Sequence, residues 1–485
     1  MNKKILICLV ALLACLPAMA QFPRGMQQPR FSPELSQQVR QLTTAAMQSD
    51  YAYRQLAHLT ENIGPRLTGS PQADAAAHYV RDELQKLGLD ARLEPVMVPH
   101  WVRGAESAEL VEWPGMPQGV KQKIVVTALG GSIATPPEGV TAEVVVVTNL
   151  DELNALGEKV RGKIVLYNNK YDVRMAHQGF GEEAYGRGVL YRAIGAAAAA
   201  KLGAVASVVR SVGAADYRLP HTGAMFGAEG QPTVPAGAVT AEDADLIADL
   251  AKQGPVKMHL LLTPQKLPDV QSYNVVADVK GSEHPEQVVI VSGHLDSWDL
   301  GTGAIDDGAG VVVAMETANL IKKLGLTPKR TIRVIAWMNE ENGTRGGNGY
   351  ADEHKADAAN HVGAIESDLG AGHPVGFHAH ITRADAAALA PLSDLLGDIG
   401  ATLIDRTDDA PGTDIGPLDK LGVPTFGIWQ DSRKYFEYHH TAADTLDKVK
   451  PNELQENAAT MAALAWTLAN MPQPPQHNPP HQGGE

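Results

Sequence analysis

The sequence predicts an α/β chain: a mostly parallel mixed sheet flanked by helices, interrupted by a smaller inserted α/β domain. Three observations carry that expectation. Short apolar runs at 288–291, 331–337, 362–365 and 425–428 read as strands buried on both faces. Helical stretches at 308–324, 384–399 and 452–470 separate or follow them, the alternation of a parallel sheet. Between about 120 and 268 the chain has its own strand and helix signals, with an alanine-rich stretch at its centre.

The elements follow in order. Lys3 and Lys4 precede an apolar run at 5–17, and Ala18-Met19-Ala20 supplies a small-x-small site, so residues 1–20 read as a cleaved secretory signal. The run is too short to span a bilayer comfortably. The expected destination is secreted or periplasmic, with no membrane association after cleavage. Residues 21–40 form a leader, disordered at least to 31. Ser32 can cap a helix that has Pro33 in its first turn. Residues 41–120 and 269–471 make the main domain. Within it, Ser70 can cap a second helix, Gly88 stops it, and Ala76, Tyr79, Val80, Leu84 and Leu87 recur at helical spacing. Residues 121–268 form the insert, with strands at 144–147 and 163–167, a helix running into a strand at 193–206, and a helix at 241–251. Residues 472–485, rich in Pro, His, Gln and Gly, are expected to be a disordered tail.

Composition narrows the chemistry. With 44% hydrophobic and 20% charged residues, the chain can bury an ordinary core. Lys plus Arg number 41 against 56 acids, a formal charge of -15. Loss of Lys3 and Lys4 with the signal leaves 39 against 56, or -17, which disfavours nucleic acid as a partner. The two cysteines, Cys8 and Cys15, both lie in the signal. The remaining chain has no disulfide and no thiol nucleophile, so a metal would be held by His and carboxylates.

Acids and histidines fall where the predicted strands end. The first strand runs into Gly293-His294-Leu295-Asp296, the second into Glu340-Glu341, the third into Glu366-Ser367-Asp368. The fourth leads, after a loop, to Tyr438-His439-His440, and Asp306-Asp307-Gly308 opens the helix after the first strand. Singly, each is more often a surface pair, a turn or a helix cap. Together, at the carboxyl ends of strands in one sheet, they converge on one edge. Two metal ions about 3.5–4 Å apart need a bridging carboxylate and further ligands on each side. Asp306 can bridge, His294 and Asp368 can complete one position, and Glu341 and His440 the other. Glu340 can stand beside the ions as general base. Asp296 can accept the second ring N–H of His294 and fix its tautomer.

The ordered set His294-x-Asp296, Asp306, Glu340-Glu341, Asp368 and His440 resembles peptidase family M28, the co-catalytic zinc aminopeptidases and carboxypeptidases. The likeness extends over 292–299, Gly412-Thr413-Asp414, His439-His440 and Asp444-Thr445, and covers about residues 40–470. It implies a zinc-exopeptidase fold, two zinc ions per chain, Glu340 as base, and His294, Asp306, Glu341, Asp368 and His440 as ligands. The family places the last ligand directly before a Ser or Thr, which selects His440 over His439. The peptide bond after the bridging aspartate is cis in some relatives. The insert, with Pro220-His221-Thr222-Gly223, resembles the protease-associated domain, and is expected to shape the cleft or a dimer contact. The resemblance further implies small-peptide substrates, in particular dipeptides with free termini, and a homodimer. The rival readings are an aminopeptidase trimming longer peptides, a glutaminyl-cyclase-type acyl-transfer enzyme, and a non-catalytic receptor; a complete ligand set speaks against the last two.

Overall fold

The structure is a computed structural model that describes residues 29–226 and 233–478. The expected signal at 1–20, most of the leader and the end of the tail lie outside the described residues. Two eight-stranded sheets organise the rest.

The first sheet is ordered Asp90–Val102, Gln265–Val279, Arg330–Trp337, His284–His294, His361–Glu366, Thr425–Gln430, Pro374–His380, Leu403–Arg406. Its four central strands are parallel, as the alternation of strands and helices predicts. Antiparallel pairs flank them, so the sheet is mixed. The central strands are apolar without alternation because helices cover both faces; His361–Glu366 is buried at every position. Helices Ala309–Lys323 and Pro451–Asn470 pack together, and Pro33–Ala46 packs on both. Sequence signals set the helix starts. Ser32 Oγ accepts from Leu35 N at 3.1 Å with Pro33 in the first turn. Ser70 Oγ accepts from Ala73 N at 3.1 Å ahead of Pro71–Lys86.

The second sheet comprises Gln122–Ile124, Glu106–Glu112, Lys257–Leu262, Val140–Val147, Ile164–Tyr167, Ala206–Arg210, Ala236–Val239 and Val126–Ala128, in that order. Helices Gly181–Lys201 and Ala241–Ala251 accompany it. It has cores of its own, one around Leu110, Ile164, Val208 and Leu260, the other around Val165, Tyr167 and Ala199. This unit begins at Glu106, not after residue 120. Glu106–Glu112 buries only Ala108 and Leu110 completely, a half-buried strand with too few apolar residues to stand out in the sequence. Strands Asp90–Val102 and Gln265–Val279 pair along nearly their whole length and carry the chain out of the first sheet and back.

The tail also differs from expectation. Residues 472–478 lie along the first sheet, where Asn478 donates to His380 O at 2.8 Å and His477 Nε2 meets His361 O at 2.9 Å. Polar composition does not reveal such side-chain-to-backbone docking. Among the described residues, no helix is long and apolar enough to cross a membrane.

Candidate metal centre

The carboxyl ends of the parallel strands bring the candidate side chains to one edge. His294 is the last residue of its strand, and Glu340-Glu341 and Asp368 follow theirs within a few residues. Asp306 sits in the Ala304–Gly308 turn that feeds helix Ala309–Lys323, and the Asp306–Asp307 peptide bond is cis. That turn is held from several sides. Asp444 Oδ1 accepts from Ala304 N and Ile305 N, both at 2.8 Å. The fully buried Arg66 guanidinium donates to the carbonyls of Leu295, Thr302 and Gly303. Asp307 accepts from His294 N at 3.0 Å and Gly310 N at 2.9 Å, tying the turn to the strand end. A Cβ at Gly310 would lie 1.9 Å from Ser367 O and 2.4 Å from Asp307 Oδ2, so only glycine lets the three segments meet.

Two groups of potential ligands share one residue. His294 Nε2 lies 3.1 Å from Asp306 Oδ1 and 3.3 Å from Asp368 Oδ1. On the other side, His440 Nε2 lies 3.2 Å from Asp306 Oδ2 and 2.9 Å from Glu341 Oε2. All five side chains are buried except Asp368, which is 22% exposed. The sets His294–Asp306–Asp368 and Asp306–Glu341–His440 each have one ligand atom per residue within 4.8 Å of the others.

The donor set fits divalent cations. His294 Nδ1 faces the Asp296 carbonyl at 2.9 Å, which assigns its proton to Nδ1 and turns the Nε2 lone pair toward the two aspartates. His440 Nδ1 faces the Thr222 carbonyl at 3.4 Å with the same result. Burial opposes protonation, but the facing carboxylates hold His294 and His440 well above the ordinary imidazole range, and a cation would take the place of the proton on each Nε2. Three carboxylate oxygens of the two groups, Asp306 Oδ2, Glu341 Oε1 and Asp368 Oδ1, are buried without a hydrogen-bond partner. Electrostatics agree. Burial, then the Asp306 charge, pushes Glu341 up to about 7. Burial likewise raises Asp368, against the pull of His294. Burial also works on Asp306, but His439, His294 and His440 outweigh it and hold that carboxyl well below the usual range.

Glu340 is half-buried beside Glu341. Burial pushes its carboxyl well above the ordinary range, with His294 opposing and Asp368 and Glu341 adding to the rise. Asp296 takes a different part from the one expected. The ring N–H of His294 goes to its backbone carbonyl, and the carboxylate stays 3.9 Å away. The carboxylate instead accepts from Asn339 N at 2.7 Å, Glu340 N at 3.1 Å, Glu341 N at 3.4 Å and Thr68 Oγ1 at 2.7 Å. The backbone of the Glu340-Glu341 turn is therefore anchored to Asp296.

The insert reaches this edge. Thr222 N donates to His440 O at 2.9 Å while its carbonyl faces the same residue's ring. His221 Nε2 lies 3.2 Å from His439 Nδ1, and His439 stacks on His440 with ring centroids 3.6 Å apart. Burial holds both His221 and His439 well below the ordinary imidazole range. Arg103, where the chain leaves the first sheet, forks onto Asp299 and bonds Thr127 Oγ1, the Ala128 carbonyl and Thr222 Oγ1, locking the two units together. A cavity of about 760 Å³ opens beside the bridging turn, with Ile305, Leu369, Gly370, Arg433, Lys434 and Tyr435 in its wall. Arg66, Asp444, Thr222 and His221 were not expected to shape the site, and His439 was set aside in favour of His440. Arg66 works through carbonyls and carries no motif signal, whereas His221 stood in a stretch already noted for its likeness to another domain.

Comparison with known proteins gives concordant results. The profile of peptidase family M28 matches residues 274–465. Carboxypeptidase Q of Bos taurus is 39% identical over 442 residues, 90% of this chain and 89% of that protein. Carboxypeptidase Q of Homo sapiens is 40% identical over 422 residues, 87% of this chain and 85% of that protein. The crystal structure of a peptidase M28 precursor from Shewanella amazonensis superposes with a TM-score of 0.86 at 38% identity, covering 92% of this chain and 99% of that one. A zinc aminopeptidase from Bacillus subtilis shares the fold at a TM-score of 0.64 and 20% identity, covering 87% of this chain and 96% of that one.

Proposed function

The chain belongs to peptidase family M28 and is a metallo-exopeptidase, and from that premise we propose that it hydrolyses small unblocked peptides, dipeptides above all, with two zinc ions per chain. His294, Asp306 and Asp368 would hold one ion, and Asp306, Glu341 and His440 the other. The observation that carries this reading is the position of Asp306, with one oxygen 3.1 Å from His294 and the other 3.2 Å from His440. The ligand groups support the number of ions: each has one imidazole nitrogen and two carboxylates within reach of one another, and the two groups share Asp306.

Bound there, the ions supply Lewis acidity toward a carbonyl oxygen and lower the pKa of water. The chain's own residues do the rest. Asp296 fixes the backbone that carries Glu340, so its carboxylate stays beside the centre without being spent as a ligand. Glu340 takes the proton of the attacking water and delivers it to the departing amine. Export through the 1–20 signal and assembly as a homodimer, both expected from the sequence and its likeness, belong to the same proposal.

The test is a panel of a free dipeptide, its N-blocked and C-blocked forms and a longer peptide, assayed beside elemental metal analysis. The proposal expects two zinc ions and preference for the free dipeptide. Rapid trimming of the longer peptide would move the reading to an aminopeptidase, for which the fold shared with the Bacillus subtilis zinc aminopeptidase provides the scaffold.

A further inference from the structure

His439 lies at the metal centre but belongs to neither carboxylate-containing ligand group; with His221 and His440 it forms a third, all-imidazole set of nitrogens within 4.8 Å of one another. Its Nε2 is 3.4 Å from Asp306 Oδ2, and its Nδ1 is 3.2 Å from His221 Nε2, which comes from the other unit of the chain. His221 Nδ1 is buried with no hydrogen-bond partner.

Those facts fix where the protons sit. A neutral imidazole has one N–H and one bare nitrogen. If His221 carried its proton on Nδ1, a donor would be buried with nothing to receive it, and orphaned buried N–H groups are the rarest kind. The proton of His221 therefore sits on Nε2 and is donated to His439 Nδ1. His439 Nδ1 is then the acceptor, and the proton of His439 sits on Nε2.

We propose that His221 is a positioning residue that keeps the proton of His439 on Nε2, so that His439 faces the metal centre as a hydrogen-bond donor and is barred from ligation. The choice between two adjacent histidines is thereby made physically. His440, with its Nδ1 toward the Thr222 carbonyl, offers a lone pair, and His439, with its Nδ1 toward His221, offers an N–H. Both tautomers are dictated by consecutive residues of the insert. A neutral N–H aimed at this edge is suited to the negative charge that grows on the carbonyl oxygen during hydrolysis. Only this last, kinetic consequence rests on the proposed function.

The experiment is nitrogen-15 spectroscopy of histidine-labelled full-length protein, with and without zinc, with His439 assigned by loss of its signals in His439→Gln. The expected result is a protonated Nε2 and bare Nδ1 on His439, and a protonated Nε2 on His221, in both conditions. Two further variants extend the test. His221→Leu removes the donor; the His439 proton should then distribute over both nitrogens, and kcat should fall about 10- to 100-fold with KM changed less than about twofold. His221→Gln restores an N–H and should recover most of that loss. A bare or zinc-shifted Nε2 on His439 in the parent protein overturns the proposal, as does an unaltered His439 tautomer in His221→Leu. If His221→Leu does not fold, the parent spectra decide alone. If no peptide is hydrolysed, the dipeptidase reading fails while the spectra still judge the tautomers.

Discussion

The two candidate ligand groups share Asp306 and differ in what stands behind them. At the first, His294 is oriented by the carbonyl of Asp296, two residues further along its own chain segment, and Asp368 follows the neighbouring parallel strand. Everything there is built on one sheet, and its outer ligand is partly open, Asp368 being 22% exposed. At the second, His440 arrives on a loop, and both its carbonyl and its ring are held by Thr222 of the insert. The first position is thus a product of the sheet, the second of a contact between two units. What lies behind a ligand governs its orientation and affinity as much as the ligand itself does, so perturbing the insert should separate two positions that look alike in the sequence.

The largest effect should come where the positions meet. Asp306→Ala removes an oxygen from both, and elemental analysis should show loss of both ions, with activity down about a thousandfold or more. Glu340→Gln should leave two ions in place and lower kcat about 10²- to 10⁴-fold; full activity with verified metal content would reject the assigned base. Gly223→Ala sharpens the comparison. Gly223 has a φ of 137°, and a Cβ there would come within 2.3 Å of Arg192, displacing the backbone next to Thr222. Zinc titration should show the second ion binding about 10- to 100-fold more weakly and the first unchanged. Equal weakening of both would break the distinction.

How far these contacts could be read from the sequence depends on what carries them. Side chains at strand ends were legible, because a parallel sheet turns sequence order into one spatial edge. The seven expected residues do gather there. Contacts made by backbone groups were not legible. Asp296 was expected to orient His294 through its carboxylate; the carbonyl has that task, and the carboxylate anchors the turn after Trp337. The same limit hid Thr222, whose carbonyl faces His440 across 218 residues of sequence separation. The start of the insert at Glu106 and the docking of 472–478 were missed because each rests on few apolar residues.

The smallest effect belongs to a control away from both positions. Glu316, buried in helix Ala309–Lys323, accepts from Ala52 N at 3.1 Å, and burial pushes its carboxyl up to about 7. A carboxyl whose pKa is higher folded than unfolded favours the folded state below the unfolded value, and that contribution is lost as pH rises toward 7. Glu316→Gln should flatten the fall in stability between about pH 4.5 and 7, by on the order of 2 kcal/mol in denaturant titrations. Zinc content should not change. A change there would mean that the comparison between the two positions reads general destabilisation rather than local support.

The most direct measurement is anomalous diffraction at the zinc edge from crystals of the zinc-loaded protein. Two peaks about 3.5–4 Å apart are predicted. One should lie within about 2.0–2.2 Å of Asp306 Oδ1 with His294 and Asp368, the other at the same distance from Asp306 Oδ2 with Glu341 and His440. A single peak, or one lying between His439 and His221, would contradict the bridging role of Asp306.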